Sequence, residues 1–471
     1  MTRRDHHRTL IYGIAFVMFS AIHAVHARNA LTYPGPEPGA ASASVRDDRL
    51  ILHNNAIRCT WSTAQGHLRP VSVANLHART EIALQDSECF QLHLADGQTL
   101  NASDLRIVRG PESEILPPAP KALRLGEQSG GRQIRATLAT ADDHLAVTWR
   151  VVLRDGANYV RQYVSLAARN APVRLQEIVL VQVAAPQARP AGTLDGAPVV
   201  AGDLFFAFEH PLSKVQAQDA GVRCYLPRTA ALNPGDEETY SSVVGVVPPG
   251  QLRRGFLYYV ERERAQPYRP FLHYNSWYDI GYGKERIVED KALQVVELFG
   301  KELIEARQVV MDSFVPDDGW DDPASLWRFH DGFPNGFTAL ARLAKQYHAG
   351  VGVWLSPWGG YGKAKEERMK YGRQEGFETN RNGFSMAGPK YYARFREVCT
   401  RMIRDYDLNY FKFDGISSGG TPTGAPAEFA ADVEALLRLI GDLRRAKPSV
   451  FINVTTGTWS SPYWLWYADS T

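Results

Sequence analysis

Cysteine is scarce in these 471 residues. Cys59, Cys89, Cys224 and Cys399 are the whole complement, and none forms a CxxC or another metal-ligand spacing. A disulfide framework is therefore excluded as the main source of stability. Cys59 and Cys89 are the only pair close in sequence, open either to a disulfide after export or to two buried, inert thiols. The 13 His are scattered without an HExxH pattern, so no metal or organic cofactor is expected. Charge of one sign is missing too: 53 Lys and Arg against 51 Asp and Glu leave no field to favour nucleic acid or an anionic membrane. No apolar run reaches the roughly 20 residues of a membrane span. Neither GxGxxG nor GxxxxGK[ST] follows any candidate strand, which removes support for a nucleotide-binding sheet.

What is present is an ordinary globular balance, 44% hydrophobic and 22% charged, enough for a large core in two or three domains. The first 27 residues stand apart. Arg3, Arg4 and Arg8 precede the apolar stretch Leu10 to Ile22, and Val25-His26-Ala27 offers a small-residue cleavage site. This predicts a signal peptide over 1–27 and a secreted or periplasmic product, followed by a flexible mature N-terminus over 28–48. Tryptophan is unevenly placed: Trp277, Trp320, Trp327, Trp354, Trp358, Trp459, Trp464 and Trp466 all lie after residue 265.

The remainder divides by its grammar. Residues 49–262 read as short β-rich runs, such as Ala56 to Trp61, Leu145 to Leu153 and Tyr159 to Leu166, with turn clusters between them and no helix-period segment of useful length. A β-sandwich is the expectation. From 263 to 471 strands alternate with helices. Candidate strands are Phe271 to Trp277, Val309 to Val315, Val351 to Ser356, Tyr410 to Phe413, Val450 to Val454 and Trp464 to Ala468. Phe395, Val398, Cys399, Met402, Ile403 and Tyr406 mark one amphipathic helix, with Cys399 in its apolar stripe. Repeated βα units imply a parallel sheet, doubly wound or closed as a (β/α)₈ barrel, whose chemistry sits at the strand C-terminal ends.

Carboxylates fall at those ends. Asp317-Asp318-Gly319-Trp320 is a good turn sequence; it also offers two acceptors for sugar hydroxyls and a flat indole for a pyranose. In Phe411-Lys412-Phe413-Asp414 the strand alternation places Lys412 and Asp414 on one face and the phenylalanines on the other. The pair is either a buried salt bridge or a nucleophilic carboxylate beside its ammonium. Asp469 follows the aromatic run Tyr463 to Tyr467, surroundings that suit a general acid, or else it is a plain strand-end Asp.

In this order the motifs NSW (275–277), DDGW (317–320), FPNGF (333–337), GVWLSP (352–357), FKFDG (411–415) and ADST (468–471) resemble the α-galactosidases (melibiases) and their raffinose-synthase relatives. The resemblance implies a retaining glycoside hydrolase with an N-terminal β-sandwich and a (β/α)₈ barrel, acting on an oligosaccharide or glycoconjugate. It implies Asp414 as nucleophile and Asp469 as acid/base, with carboxyl groups about 5–5.5 Å apart. Asp317 and Asp318 would hold the sugar hydroxyls, Lys412 would flank the nucleophile, and Trp277 and Trp354 would line the sugar pocket. Galactosyl transfer to another sugar and non-catalytic carbohydrate binding are the alternatives.

Two stretches depart from the family pattern. Asn453 to Trp459 lacks the Cys and Arg usual after the fifth strand, and Ser356-Pro357-Trp358 replaces an acidic residue after the third, so another α-linked sugar such as N-acetylgalactosamine is open. Six strands are found where a barrel needs eight, so the expectation is a barrel truncated after strand six.

Overall fold

The computed structural model describes residues 31–471 other than 186, 219–220, 229, 282–285, 416–422 and 456. The expected signal peptide lies outside the described residues. The stretch expected to be flexible is ordered from residue 31. Ser42–Arg46 pairs antiparallel with Arg49–His53, the Ala41 amide donates to Asp155 Oδ1 at 2.8 Å, and Tyr33 is buried. Once a neighbouring strand satisfies its backbone groups, a small-residue segment has no reason to stay loose.

Residues 42–246 form three antiparallel sheets. A five-stranded meander runs from Ser42 to Ala83, an eight-stranded sheet is centred on Leu145–Arg154 and Tyr159–Ala168, and a six-stranded sheet is built around Val173–Val183. Alternation decides their packing. Val147, Trp149 and Val151 share one face of the large sheet with their register partners Leu166, Val164 and Gln162. On that face Trp61 of the meander meets Trp149 edge-on at 5.6 Å, and Gln162 donates to the Cys89 carbonyl at 2.9 Å. The opposite face carries Arg161, buried between Glu209 (2.7 Å) and Glu263 (2.6 Å). Cys59, Cys89, Cys224 and Cys399 are all free and buried.

Glu263 comes from a helix the sequence reading missed, Leu252–Glu263. Its apolar residues Leu252, Phe256, Tyr259 and Val260 do follow helical spacing, but they lie at the end of the 49–262 stretch read as short strands. Phe256 packs on Phe205 at 5.2 Å and Tyr259 on Trp466 at 5.4 Å, so this helix ties the β region to the α/β region.

The α/β region is built on a parallel sheet of five strands in sequence order: His273–Asn275, Ser313–Val315, Gly350–Leu355, Tyr410–Phe413 and Phe451–Val454. Its strands pair without gaps, as in half of a barrel. Phe411 and Phe413 are fully buried, the latter 6.0 Å from Phe395 on helix Pro389–Tyr406, as alternation requires. The expected sixth strand at Trp464 to Ala468 is not one. Pro462–Trp466 is a 3₁₀ turn begun by Ser461, whose hydroxyl accepts from the Tyr463 amide, and Tyr463, Trp464 and Trp466 are all buried. Parallel pairing with the fifth strand begins at Ser470, opposite Asn453. Among the described residues, no helix is long and apolar enough to cross a membrane.

Candidate active site

The first, second and fourth strands aim their terminal side chains at one carboxylate. Asp317 is almost fully buried, and its Oδ2 accepts from Asn275 Nδ2 (2.8 Å) and Lys412 Nζ (2.8 Å). Its Oδ1 accepts from the Asp318 amide at 2.9 Å, and its own amide donates to Ser276 Oγ at 2.8 Å. Three protein donors thus meet the Asp317 carboxylate, two of them on Oδ2. Lys412 therefore pairs with Asp317 and not with Asp414, although the strand alternation placed it beside the latter. The reason is reach: the long Lys stem crosses the sheet interior to the next-but-one strand, where a buried charge needs it.

Asp414 directly follows the fourth strand, its amide held by the Leu355 carbonyl at 3.0 Å. Its carboxylate accepts from the Trp354 indole N–H (3.0 Å, Oδ2) and the Tyr361 hydroxyl (2.8 Å, Oδ1). Two neutral donors orient the oxygens. Gly415 then turns the chain at φ +77; a Cβ there would stand 1.9 Å from Trp358 Nε1, so only glycine fits between the carboxylate and that indole.

Asp318 faces an open cleft of about 830 Å³, lined also by Trp277, Asp321, Phe329, His330 and Glu367. Arg368 donates to Asp318 Oδ1 at 2.7 Å. Burial pushes the Asp318 carboxyl up from the ordinary aspartate range, against the pull of Arg368. Trp277, 39% exposed, is the one member of the eight late tryptophans that offers its ring to solvent. Trp354 and Trp320, expected as sugar platforms, are buried. Trp320 donates to the Trp354 carbonyl at 2.9 Å and Trp354 holds Asp414, so both act as scaffold.

Asp469 is not in this group. Its Oδ2 accepts from Arg444 Nη2 (2.7 Å) and from the Ile452 amide (2.8 Å). Ile452 is in register with Phe411, three residues before Asp414. At about 3.3 Å per residue, the Asp469 carboxylate lies roughly 10 Å down the sheet toward the strand N-termini, and one strand across. Asp469 is not at the end of a strand, because the aromatic run before it is a turn. The two carboxylates expected as a pair thus have separate sets of partners.

Four residues of the site were not singled out from sequence. Asn275 and Ser276 lie in the NSW motif, and Tyr361 lies in the loop after the third strand, so strand-end position could have found all three. Arg368 lies on helix Gly362–Glu375, which has no apolar stripe to betray an inward-facing charge. Among the described residues, no group of three or more His, Cys, Asp or Glu side chains could hold a metal ion.

No family model matches the sequence, and no curated protein matches it either. Solved structures do. The GH36 α-galactosidase AgaB from Geobacillus stearothermophilus superposes with a TM-score of 0.62 at 15% identity, over 91% of this chain and 74% of that one. The α-galactosidase from Lactobacillus brevis gives 0.59 at 12% identity, over 90% and 73%. AgaA from G. stearothermophilus, solved with stachyose, gives 0.58 at 15% identity, over 91% and 74%. The chain has the fold of these GH36 α-galactosidases.

Proposed function

We propose that this protein cleaves terminal α-linked galactosides, or a closely related α-glycoside, with Asp414 as the nucleophile of a retaining double displacement. The observation that carries this reading is the setting of Asp414: a carboxylate at the end of a parallel strand, its two oxygens aimed by Trp354 and Tyr361, with Gly415 leaving room behind it. In such a reaction one oxygen attacks the anomeric carbon as the glycosidic bond breaks, a general acid gives its proton to the departing aglycone oxygen, and water, losing a proton to that same group, releases the sugar from the glycosyl-enzyme. Asp318 accepts hydroxyls of the sugar and Trp277 offers its ring face at the rim. Asp317 and Lys412 support the floor. The sheet is read as the front of a (β/α)₈ barrel behind a β-sandwich. Variants of AgaA have been solved with stachyose and with raffinose, and such oligosaccharides are the substrates to try first.

A 4-nitrophenyl α-galactoside is the diagnostic substrate, because its leaving group departs with little help from an acid. The wild-type chain should release nitrophenol, Asp414→Asn should not, and azide should rescue Asp414→Gly as a β-galactosyl azide. Activity surviving in Asp414→Asn would remove the nucleophile assignment. One observation favours a second reading, carbohydrate binding without turnover: Asp469 is committed to Arg444 and supplies no acid at the cleft. That reading is distinguished by saturable galactoside binding with no cleavage of either the aryl or the natural substrate. Export is proposed from the N-terminal segment and is tested by cell fractionation.

A further inference from the structure

Arg368 is fully buried, yet it spends its donors on the cleft wall. Nε and Nη2 grip Asp321 (3.0 and 2.6 Å), Nη2 also reaches Asp318 Oδ1 (2.7 Å), and Nη1 donates to the Gly359 carbonyl (3.2 Å). The guanidinium lies over the Trp327 ring at 4.5 Å and 5.6 Å from the ring of Trp354. The adjoining loop makes way for it: Gly360 has φ +88, and a Cβ there would stand 2.4 Å from Arg368 Nη1 and 3.2 Å from Trp354. The bidentate pair with Asp321 already neutralises the guanidinium. The further contact to Asp318 is therefore more than charge balance; it fixes which oxygen of a cleft-lining carboxylate faces outward. The same cation abuts Trp354, whose indole N–H holds Asp414.

We propose that Arg368 is a positioning residue that sets the sugar-holding carboxylate of Asp318 and the carboxylate of Asp414 at a fixed mutual spacing, through one planar cation in contact with the supports of both. The inference rests on the reading of Asp414 and Asp318 given above. A lysine cannot replace it, because a point charge lacks the fork that grips Asp321 and Asp318 together. Losing one charge-assisted hydrogen bond at Asp318 should weaken sugar binding roughly ten- to hundred-fold.

The test uses the full chain in three variants. Arg368→Lys keeps the charge. The double variant Arg368→Met with Asp321→Asn removes both members of the fully buried pair, leaving only the cleft-facing Asp318 without its cation. Binding of 1-deoxygalactonojirimycin is measured by titration calorimetry, and KM and kcat with the aryl galactoside. For the double variant, a melting temperature near that of the wild type is expected, with inhibitor affinity down at least ten-fold, KM raised and kcat lowered together. Methylguanidinium should partly restore turnover to Arg368→Ala. If a folded double variant binds the inhibitor within two-fold of wild type, or Arg368→Lys is kinetically indistinguishable from it, the positioning role is overturned while the reading of the site stands. If the wild type neither binds nor cleaves, that reading falls, and this inference with it.

Discussion

Replacing Lys412 by methionine isolates the electrostatics of the site floor. The ammonium and Asp317 Oδ2 are 2.8 Å apart, with side chains 21% and 3% exposed, so the carboxylate is the more deeply desolvated partner. Without the lysine, Asp317 keeps only the amide donors of Asn275 and Asp318. Removing one member of a buried pair costs about 3–5 kcal/mol, and the partial exposure of Lys412 lowers the expectation to about 2–4 kcal/mol. Denaturant unfolding followed by tryptophan fluorescence is the suitable assay, since eight of the ten indoles lie in the α/β region and report on it selectively. Two double-mutant cycles then locate the partner. Lys412→Met with Asp317→Asn should recover most of the loss, a coupling of about 2 kcal/mol or more. The cycle with Asp414→Asn should couple by less than about 1 kcal/mol, as expected for charges that are near without touching. A larger coupling to Asp414 than to Asp317 would refute the pairing, and with it the view that Asp414 is oriented by neutral donors alone.

Three further outcomes follow from buried groups. His210 is buried and neutral, its Nδ1 accepts from the Leu212 amide at 3.1 Å, and burial lowers its pKa to about 3. The unfolded chain takes up this proton below about pH 6.5 and the folded one does not, so stability falls with pH between those values, by about 3 kcal/mol at pH 4.5. His210→Asn, which retains an acceptor, should flatten that slope, and an unchanged acid limb in the melting profile would sink the argument. Gly415→Ala should cost about 1–3 kcal/mol from the left-handed backbone and the contact with Trp358, and should abolish turnover; a fully active Gly415→Ala enzyme would show that the turn is not as drawn. Asp469→Asn should destabilise the fold by about 3–5 kcal/mol, because it strands Arg444, whose side chain is 10% exposed. Its specific activity per folded molecule should stay within about threefold of wild type, and a selective collapse of kcat at unchanged melting temperature would restore Asp469 to the chemistry.

What could be read from the chain followed from how local each signal was. Alternation in Phe411 to Asp414 and the helical stripe from Phe395 to Tyr406 depend on nearest neighbours, and the structure keeps both. The order of βα units could likewise be counted without knowing any contact. The partner of a charge is a different kind of fact. Lys412 could have served either Asp414, two residues away, or Asp317, 95 residues away, and only the closeness of the second and fourth strand ends across the sheet interior decides it. Arg368 was invisible for the same reason: a lysine- and arginine-rich helix reads as a solvated surface until Asp321 and Asp318 are seen beneath it. Aromatic runs misled twice in one way. Trp464 and Trp466 alternate as in a strand, and Trp320 and Trp354 stand beside carboxylates as sugar platforms do. A large ring is also an economical way to fill buried space, and in this protein seven of the eight late tryptophans are buried, Trp327 and Trp354 against the Arg368 ion pair. The placement of Asp469 follows from the first of these. Once Pro462–Trp466 is a turn, Asp469 no longer crowns a strand built from that run; it lies beside Ile452, where Arg444 is the partner its charge requires.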